Sequence, residues 1–354
     1  MPQPASKARR RTTITDVARL ASVDPSVVSR VINADDRLTI KDETRRRVLD
    51  AIETLGYHPN AAARSLRTAQ SGTFGLLIPD FANPIYAEII KGAEEAATAH
   101  GALLLTGTAL EGRPGRYVEL VASGRVDGLL LASDRLNAEA ISAVVRSGKP
   151  IVSVNQRIPG VASTIIADDG GAAVVAVEHL VSLGHTKIGH IRGPAGSDTA
   201  RRRLAGYRKA MKRAGLQVDA GQIVESNYTA EGGFEAMTSL LGDRAAITAV
   251  LVANVAAAIG ALAAARALGV AVPAEISVVA IHDNPLAEYL APPLTTVRLP
   301  LAELGAVGVR TLIQGRSATG GTTVVSEPTE LMLRKSTCAP RRDAWPNTAS
   351  RSTR

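Results

Sequence analysis

Pro25, Ser26, Ser29 and Arg30 share one side of a short segment whose other side is Val27, Val28, Val31 and Ile32. That spacing predicts a helix with one buried face and one exposed polar face. An exposed arginine on a short helix suits one chemistry in particular, paired hydrogen bonds to a guanine edge in the major groove of DNA. Catalytic groupings are missing: there is no P-loop, GxSxG elbow, HExxH or CxxC pattern. His179, His185 and His190 lie close in sequence, but their spacing does not put them on one helical face. They are expected to cap and pack, so neither a metal nor a cofactor is expected.

Two further helices must hold that segment. Thr15 is suited to cap the first, with Asp16 near its positive end and Val17, Leu20 and Ala21 on its buried face. Asp24 is a good N-cap for the second, and Pro25 fits its first position, where a missing N–H costs nothing. The third starts at Asp42 and Glu43, buries Val48, Ala51, Ile52 and Leu55, and stops at Gly56. Three short helices with a tight first turn predict an all-α helix-turn-helix domain over 12–59. Charge agrees. Residues 1–70 carry 13 Lys/Arg against 8 Asp/Glu, residues 339–354 carry 4 Arg against 1 Asp, and the stretch between is neutral. Basic ends on a neutral body suit a polyanion. Residues 1–11 read as a disordered basic arm and 339–354 as a disordered basic tail without a leucine heptad.

With 354 residues, the chain is too long for one ordinary domain. From Phe74 on, apolar strands alternate with amphipathic helices. Strands are expected at 74–78, 102–106, 127–131, 150–154, 187–191, 248–252 and 277–281. This pattern predicts two doubly wound parallel sheets with helices on both faces. Ligands of such sheets bind at the C-terminal strand ends, so a cleft between the two sheets is the expected site. A single cysteine, Cys338, precludes an intrachain disulfide and fits a cytoplasmic protein. No signal peptide or membrane span is expected.

Further motifs are more specific. Asp16-Val17-Ala18, Val28-Ser29-Arg30-Val31-Ile32-Asn33, Thr44-Arg45, Gly56-Tyr57-His58-Pro59-Asn60 and Ala63-Arg64-Ser65-Leu66-Arg67 follow one another closely. Pro79-Asp80-Phe81-Ala82-Asn83-Pro84, Val177-Glu178-His179-Leu180, Leu183-Gly184-His185, Arg203-Leu204-Ala205-Gly206-Tyr207 and Pro292-Pro293-Leu294-Thr295-Thr296-Val297 extend the series through the body. On these motifs the sequence resembles the LacI/GalR family of bacterial transcription regulators over nearly its whole length. The resemblance implies a repressor that binds a palindromic operator as a homodimer, with a small-molecule effector (a sugar, a sugar derivative or another metabolite) controlling affinity. It implies phosphate contacts from Thr15 and Ser29, base reading by Pro25, Ser26 and Arg30, and further DNA-surface positions at Asn33, Tyr57, Asn60 and Ala63. Residues 60–70 would be a hinge and linker, with Leu66 wedged between base pairs in the minor groove.

For the body the resemblance implies a periplasmic-binding-protein-like core over 71–338. Subdomain one would take 71–167 plus 300–326, and subdomain two 168–299 plus 327–338. Its effector positions fall on Phe81, Asn83, Ile85, Tyr86, Asp168, Arg203, Tyr228, Asn254 and His282. Arg203 could clamp a carboxylate, phosphate or hydroxyl pair.

Three departures stand out. Lys41 replaces a Ser that often caps the third helix, so that cap would come from Thr39 or be weaker. Val255 and His282 stand where the family commonly has Asp, which weighs against a plain sugar and towards an anionic or aromatic effector. A transport protein with the same core, an enzyme, and a regulator with a disused pocket are the alternatives, the first weighed against by residues 14–67.

Overall fold

The structure is a computed structural model. It describes residues 12–33, 35, 38–57, 70–108, 115–133, 138–242, 247–315 and 320–341. The chain divides into two compact units, residues 1–71 and 72–354. The expected arm, hinge segment 60–68 with Asn60, Ala63 and Leu66, and most of the basic tail lie outside the described residues.

In the first unit, α1 (Ile14–Ala21), α2 (Pro25–Ile32) and α3 (Asp42–Thr54) enclose Val17, Ala18, Ala21, Val28, Val31, Val48 and Ala51. The cap of α1 is Thr13 rather than Thr15. Thr13 Oγ1 accepts from the Asp16 N–H, and the Asp16 carboxylate accepts from the Thr13 N–H at 2.9 Å, a reciprocal capping box. Thr15 is the second residue of the helix and is exposed. Leu20, expected on the buried face, is also exposed. Asp24 caps α2 through the Ser26 N–H at 2.8 Å, with Pro25 at the first position. At α3, Lys41 occupies the cap and no side chain bonds the free N–H groups, so Thr39 does not substitute. Asp42 and Glu43 compensate through the helix dipole.

Among the described residues, the strands of the second unit form two six-stranded sheets. The first runs β11-β5-β4-β3-β1-β2, with β1 (Thr73–Ile78), β2 (Leu103–Thr108), β3 (Gly128–Leu131), β4 (Ile151–Val154), β5 (Ser163–Ile166) and β11 (Gly321–Val324) all parallel. The second runs β12-β10-β9-β8-β6-β7. It comprises β6 (Ile188–Arg192), β7 (Ile223–Glu225), β8 (Ala249–Val252), β9 (Ser277–Ile281), β10 (Thr295–Arg298) and β12 (Glu330–Met332), the last antiparallel. The chain passes between the sheets after β5, after β10 and after β11. Central strands carry the continuous apolar runs because both of their faces are covered. The exception is β2, an edge strand on which Leu103 is 73% exposed despite its apolar sequence.

The flanking helices are α4 (Ile85–Ala99), α5 (Gly115–Ala122), α6 (Ala138–Arg146), α7 (Asp169–Ser182), α8 (Asp198–Arg213), α9 (Ala230–Gly242), α10 (Val255–Ala267) and α11 (Leu301–Gln314). Three pairs, α4 with α11, α7 with α8 and α9 with α10, approach closely through glycines. A Cβ on Gly206 would lie 2.1 Å from the Gly170 carbonyl oxygen, and one on Gly260 would lie 1.7 Å from that of Ala230. No described helix is long and apolar enough to cross a membrane.

Candidate functional site

On the first unit, the resemblance singles out a surface around α2. Ser26 and Arg30 are exposed there, and Pro25 and Ser29 are half-buried. Arg30 Nε lies 3.1 Å from the Asp35 carboxylate, which holds the guanidinium along the helix end. Asn33 caps the C-terminus of α2, with its amide donating to the Ser29 carbonyl. Tyr57 packs against the helical core.

In the second unit a cavity of about 590 Å³ lies where the C-terminal strand ends of the two sheets face each other. Its walls come from both halves. Pro79, Asp80 and Ala82 to Tyr86 follow β1, Asn155 and Gln156 follow β4, residues from Pro194 to Arg203 follow β6, Asn227 to Ala230 follow β7, and residues from Asn254 to Ile259 follow β8. Of the expected effector residues, Asn83, Ile85, Tyr86, Arg203, Tyr228 and Asn254 are brought together on this wall. Three are not. Phe81 is 58% exposed and lines a separate groove beside β2. Asp168 is exposed and caps α7 through the Gly171 N–H at 2.8 Å. His282 is buried behind Arg203 rather than on the wall.

Arg203 is almost fully buried and fixed on every side. Its Nε donates to Asp169 Oδ1 at 2.7 Å, Nη1 to the Ala253 carbonyl at 2.6 Å, and Nη2 to His282 Nε2 at 2.6 Å. Burial disfavours its charge, but the Asp169 carboxylate more than offsets this and holds its pKa above the ordinary value. A guanidinium can only donate, so His282 Nε2 is the acceptor and Nδ1 carries the proton. That Nδ1–H is buried without a partner among the described residues. Desolvation, then repulsion from Arg203 and Arg202, pushes His282 well below its usual pKa, so it is neutral near pH 7. His282 therefore offers a ligand a neutral imidazole rather than a charged one.

The neighbouring Arg202 braces the passage between the halves. It donates to the carbonyls of Asn155 and Ala167, both at 2.8 Å, and to Asp198 at 2.9 Å, and it pairs with Asp169. Arg157 reaches the same Asp198 at 3.4 Å.

Tyr228 adopts a left-handed backbone at φ 68°. Contacts to its carbonyl, its ring and its hydroxyl hold it there. The Asn254 amide donates to its carbonyl at 3.0 Å, while Asn254 Oδ1 caps α10 through the Ala257 N–H at 3.1 Å. Its ring lies against Gly193, where a Cβ would come within 2.0 Å of Cζ. Its hydroxyl bonds Thr199 at 2.9 Å and Ser197 at 3.1 Å.

The sequence reading missed Asn155, Gln156, Ser197, Thr199, Asn227 and Asp169. Asn155 and Gln156 directly follow the expected strand at 150–154, so the strand-end rule would have found them, whereas Ser197 and Thr199 lie six and eight residues past the strand expected at 187–191, at the start of the next helix. The histidines behave as packing groups. His185 bonds Thr248 at 2.8 Å and the Cys338 carbonyl at 2.8 Å, and His190 stacks on Tyr207 at 5.0 Å between centroids. No metal-binding cluster occurs among the described residues.

A helix-turn-helix unit joined to a body of two doubly wound sheets defines a DNA-binding transcription regulator with a periplasmic-binding-protein-like core. Comparison with known proteins makes the family definite. Residues 13–60 match bacterial regulatory proteins of the lacI family, and residues 177–337 match the periplasmic binding protein-like domain. The chain belongs to the LacI family. It is 35% identical to the HTH-type transcriptional regulator DegA of Bacillus subtilis (strain 168), over 92% of this chain and 98% of the relative. It is 37% identical to the ribose operon repressor of Escherichia coli (strain K12), over 85% and 92% respectively. Among solved structures, the lac repressor dimer bound to operator and the anti-inducer ONPF is similar with a TM-score of 0.81 and 30% identity. That match covers 93% of this chain and 100% of the other.

Proposed function

We propose that this protein is a homodimeric repressor of transcription that binds a palindromic operator and has no enzymatic activity. A small molecule, either a sugar, a sugar derivative or another metabolite, binds the cavity between the two sheets and sets operator affinity. The observation that carries this reading is the presence in one chain of an outward-facing Arg30 on a short recognition helix and a polar cavity walled from both sheets. The related lac repressor, a dimer on operator with a small anti-inducer, supports it. In this reading Pro25, Ser26 and Arg30 read base edges, Thr15 and Ser29 fix the helix on the phosphate backbone, and Asn33 lies at the DNA surface. Tyr57 and Asn60 flank the DNA surface. Ala63 lies in the hinge segment, and Leu66 wedges into the minor groove. Ligand binding changes the relation of the two sheets and so the hinge segments of a dimer, with coupling on the order of 1–3 kcal/mol.

The test is anisotropy of upstream DNA with the full chain across a salt series, beside Arg30→Ala and Leu66→Ala. The reading requires a strong preference for one palindrome that both variants lose. Equal binding to random DNA, indifferent to both substitutions, would remove it.

A further inference from the structure

Asp35 sits where charge alone would not put it. In the helix-turn-helix unit, Asp16, Asp24, Asp42 and Glu43 lie at N-terminal helix ends, where the dipole favours a carboxylate. Asp35 follows the C-terminal end of α2, where the dipole disfavours one. In the reading of α2 as the recognition helix, it also brings a negative charge close to phosphate. Its backbone is nonetheless tied down on both sides. The Asp35 N–H donates to the Arg30 carbonyl at 3.1 Å, and its carbonyl accepts from the Leu38 N–H at 2.9 Å. Its side chain is only 19% exposed, against 45% for that of Arg30.

The Asp35 carboxylate accepts from Arg30 Nε at 3.1 Å. The choice of atom matters. Arginine reads guanine by setting two N–H groups on O6 and N7. Nη1 and Nη2 supply such a pair, and neither has a partner among the described residues. A bond at Nε therefore fixes the plane and direction of the guanidinium and leaves its outer edge open. A paired bond through Nη1 and Nη2 would have covered that edge instead. An arginine already held loses less side-chain freedom on binding, and it is less able to turn towards a different base.

We propose that Asp35 is a positioning residue for DNA recognition: it holds Arg30 by Nε so that Nη1 and Nη2 meet one guanine edge, and it sharpens the preference for that guanine while weakening the attraction for DNA in general. The proposal rests on the reading of α2 as the recognition helix. It also gives a signature that a merely structural aspartate would not. Removing the carboxylate blunts sequence discrimination yet leaves non-specific binding equal or stronger, because a negative charge has left the DNA-facing side.

The experiment first selects the full-length chain on a pool of duplexes randomised over about 20 base pairs, enough for two half-sites a helical turn apart. Anisotropy at fixed salt then compares three kinds of DNA: the selected duplex, copies with each guanine·cytosine pair changed in turn to adenine·thymine, and random DNA. The proteins are wild type, Arg30→Ala, Asp35→Asn and Asp35→Ala. At the guanine whose preference Arg30→Ala abolishes, wild type should discriminate about tenfold or more. Asp35→Ala should lose at least about threefold of that ratio, the scale of a partly exposed ion pair, with random-DNA affinity unchanged or raised. Asp35→Asn keeps an oxygen for Nε without the charge and should fall between the two. A ratio in Asp35→Ala equal to or above that of wild type overturns the proposal, the higher value marking Asp35 as a lock on Arg30. A parallel fall on selected and random DNA overturns it as well. Should Asp35→Ala fail to fold, as thermal melting would show, Asp35→Asn decides by the same ratio. A wild type that selects no sequence, or an Arg30→Ala that keeps every preference, removes the recognition-helix reading and this inference with it. Failure of the Asp35 variants alone leaves that reading standing.

Discussion

Arg203 Nη2 lies 2.6 Å from His282 Nε2, so a neutral imidazole completes the shell of a buried cation. The arrangement makes His282 structural through its acceptor alone. His282→Leu removes that acceptor and should cost about 1–3 kcal/mol, the usual effect of leaving a buried donor unpaired. His282→Gln retains an amide oxygen and should cost less. Urea denaturation of both variants checks this, and a Leu variant as stable as wild type would show that the bond contributes nothing.

Helix–helix contact offers a second prediction. Alanine is the better helix former than glycine by about 1 kcal/mol, so Gly→Ala inside a helix ordinarily stabilises. At Gly206 and Gly260 the sign should reverse, because the new methyl would strike the Gly170 and Ala230 carbonyls. Overpacking of this kind costs about 1–3 kcal/mol or more, since backbone must move. Gly242, whose Cβ would meet nothing within 4 Å, is the control and should tolerate alanine. Thermal denaturation of the three variants makes the comparison.

These two sites mark where sequence was informative and where it was not. The buried central strands were legible as apolar runs, and Asp24-Pro25 announced its helix. The strands that went unseen, β5, β7, β10, β11 and β12, are three or four residues long and lie towards the outer parts of the sheets, several rich in threonine. Thr295 and Thr296 are fully buried all the same, because Ser336, Asp283 and Arg334 satisfy them. Bonds that come from 13 to 41 residues away leave no local pattern. The same holds for Asp168 and Asp169. Sequence shows two adjacent aspartates, and only the turn into α7 makes one an exposed cap and the other the partner of Arg203.

Asn254 performs two tasks with one amide, and substitutions can separate them. Its Oδ1 caps α10 and its Nδ2 supports the Tyr228 carbonyl. Asn254→Asp keeps the cap but loses the donor, and the ring of Tyr228 should lose its fixed position on the cavity wall. Asn254→Ala loses both and should cost a further ~1 kcal/mol for the cap. The order wild type, Asp, Ala in melting temperature is the expected result. A ligand-binding loss already complete in the Asp variant would show that holding Tyr228, rather than capping, matters for the site.

The last prediction concerns acid. His190 is fully buried against Tyr207. Its Nδ1 donates to the Leu251 carbonyl at 3.0 Å, and its Nε2 has no partner among the described residues. Desolvation is the main cause that lowers its pKa from 6.5 to about 4 in the folded chain. The unfolded chain therefore binds the extra proton between those values, and stability must fall as pH drops from about 6.5 towards 4. A shift of this size corresponds to about 3 kcal/mol over that window. His179, His185 and His282 are depressed in the same direction and add to the slope. His190→Phe keeps an aromatic ring beside Tyr207 but cannot be protonated. It should be less stable than wild type at pH 7.5, having lost the bond to Leu251, yet lose less stability than wild type between pH 6.5 and 4. Parallel profiles for the two proteins would mean that His190 takes its proton without unfolding, and the assignment of the acid sensitivity to this ring would fail.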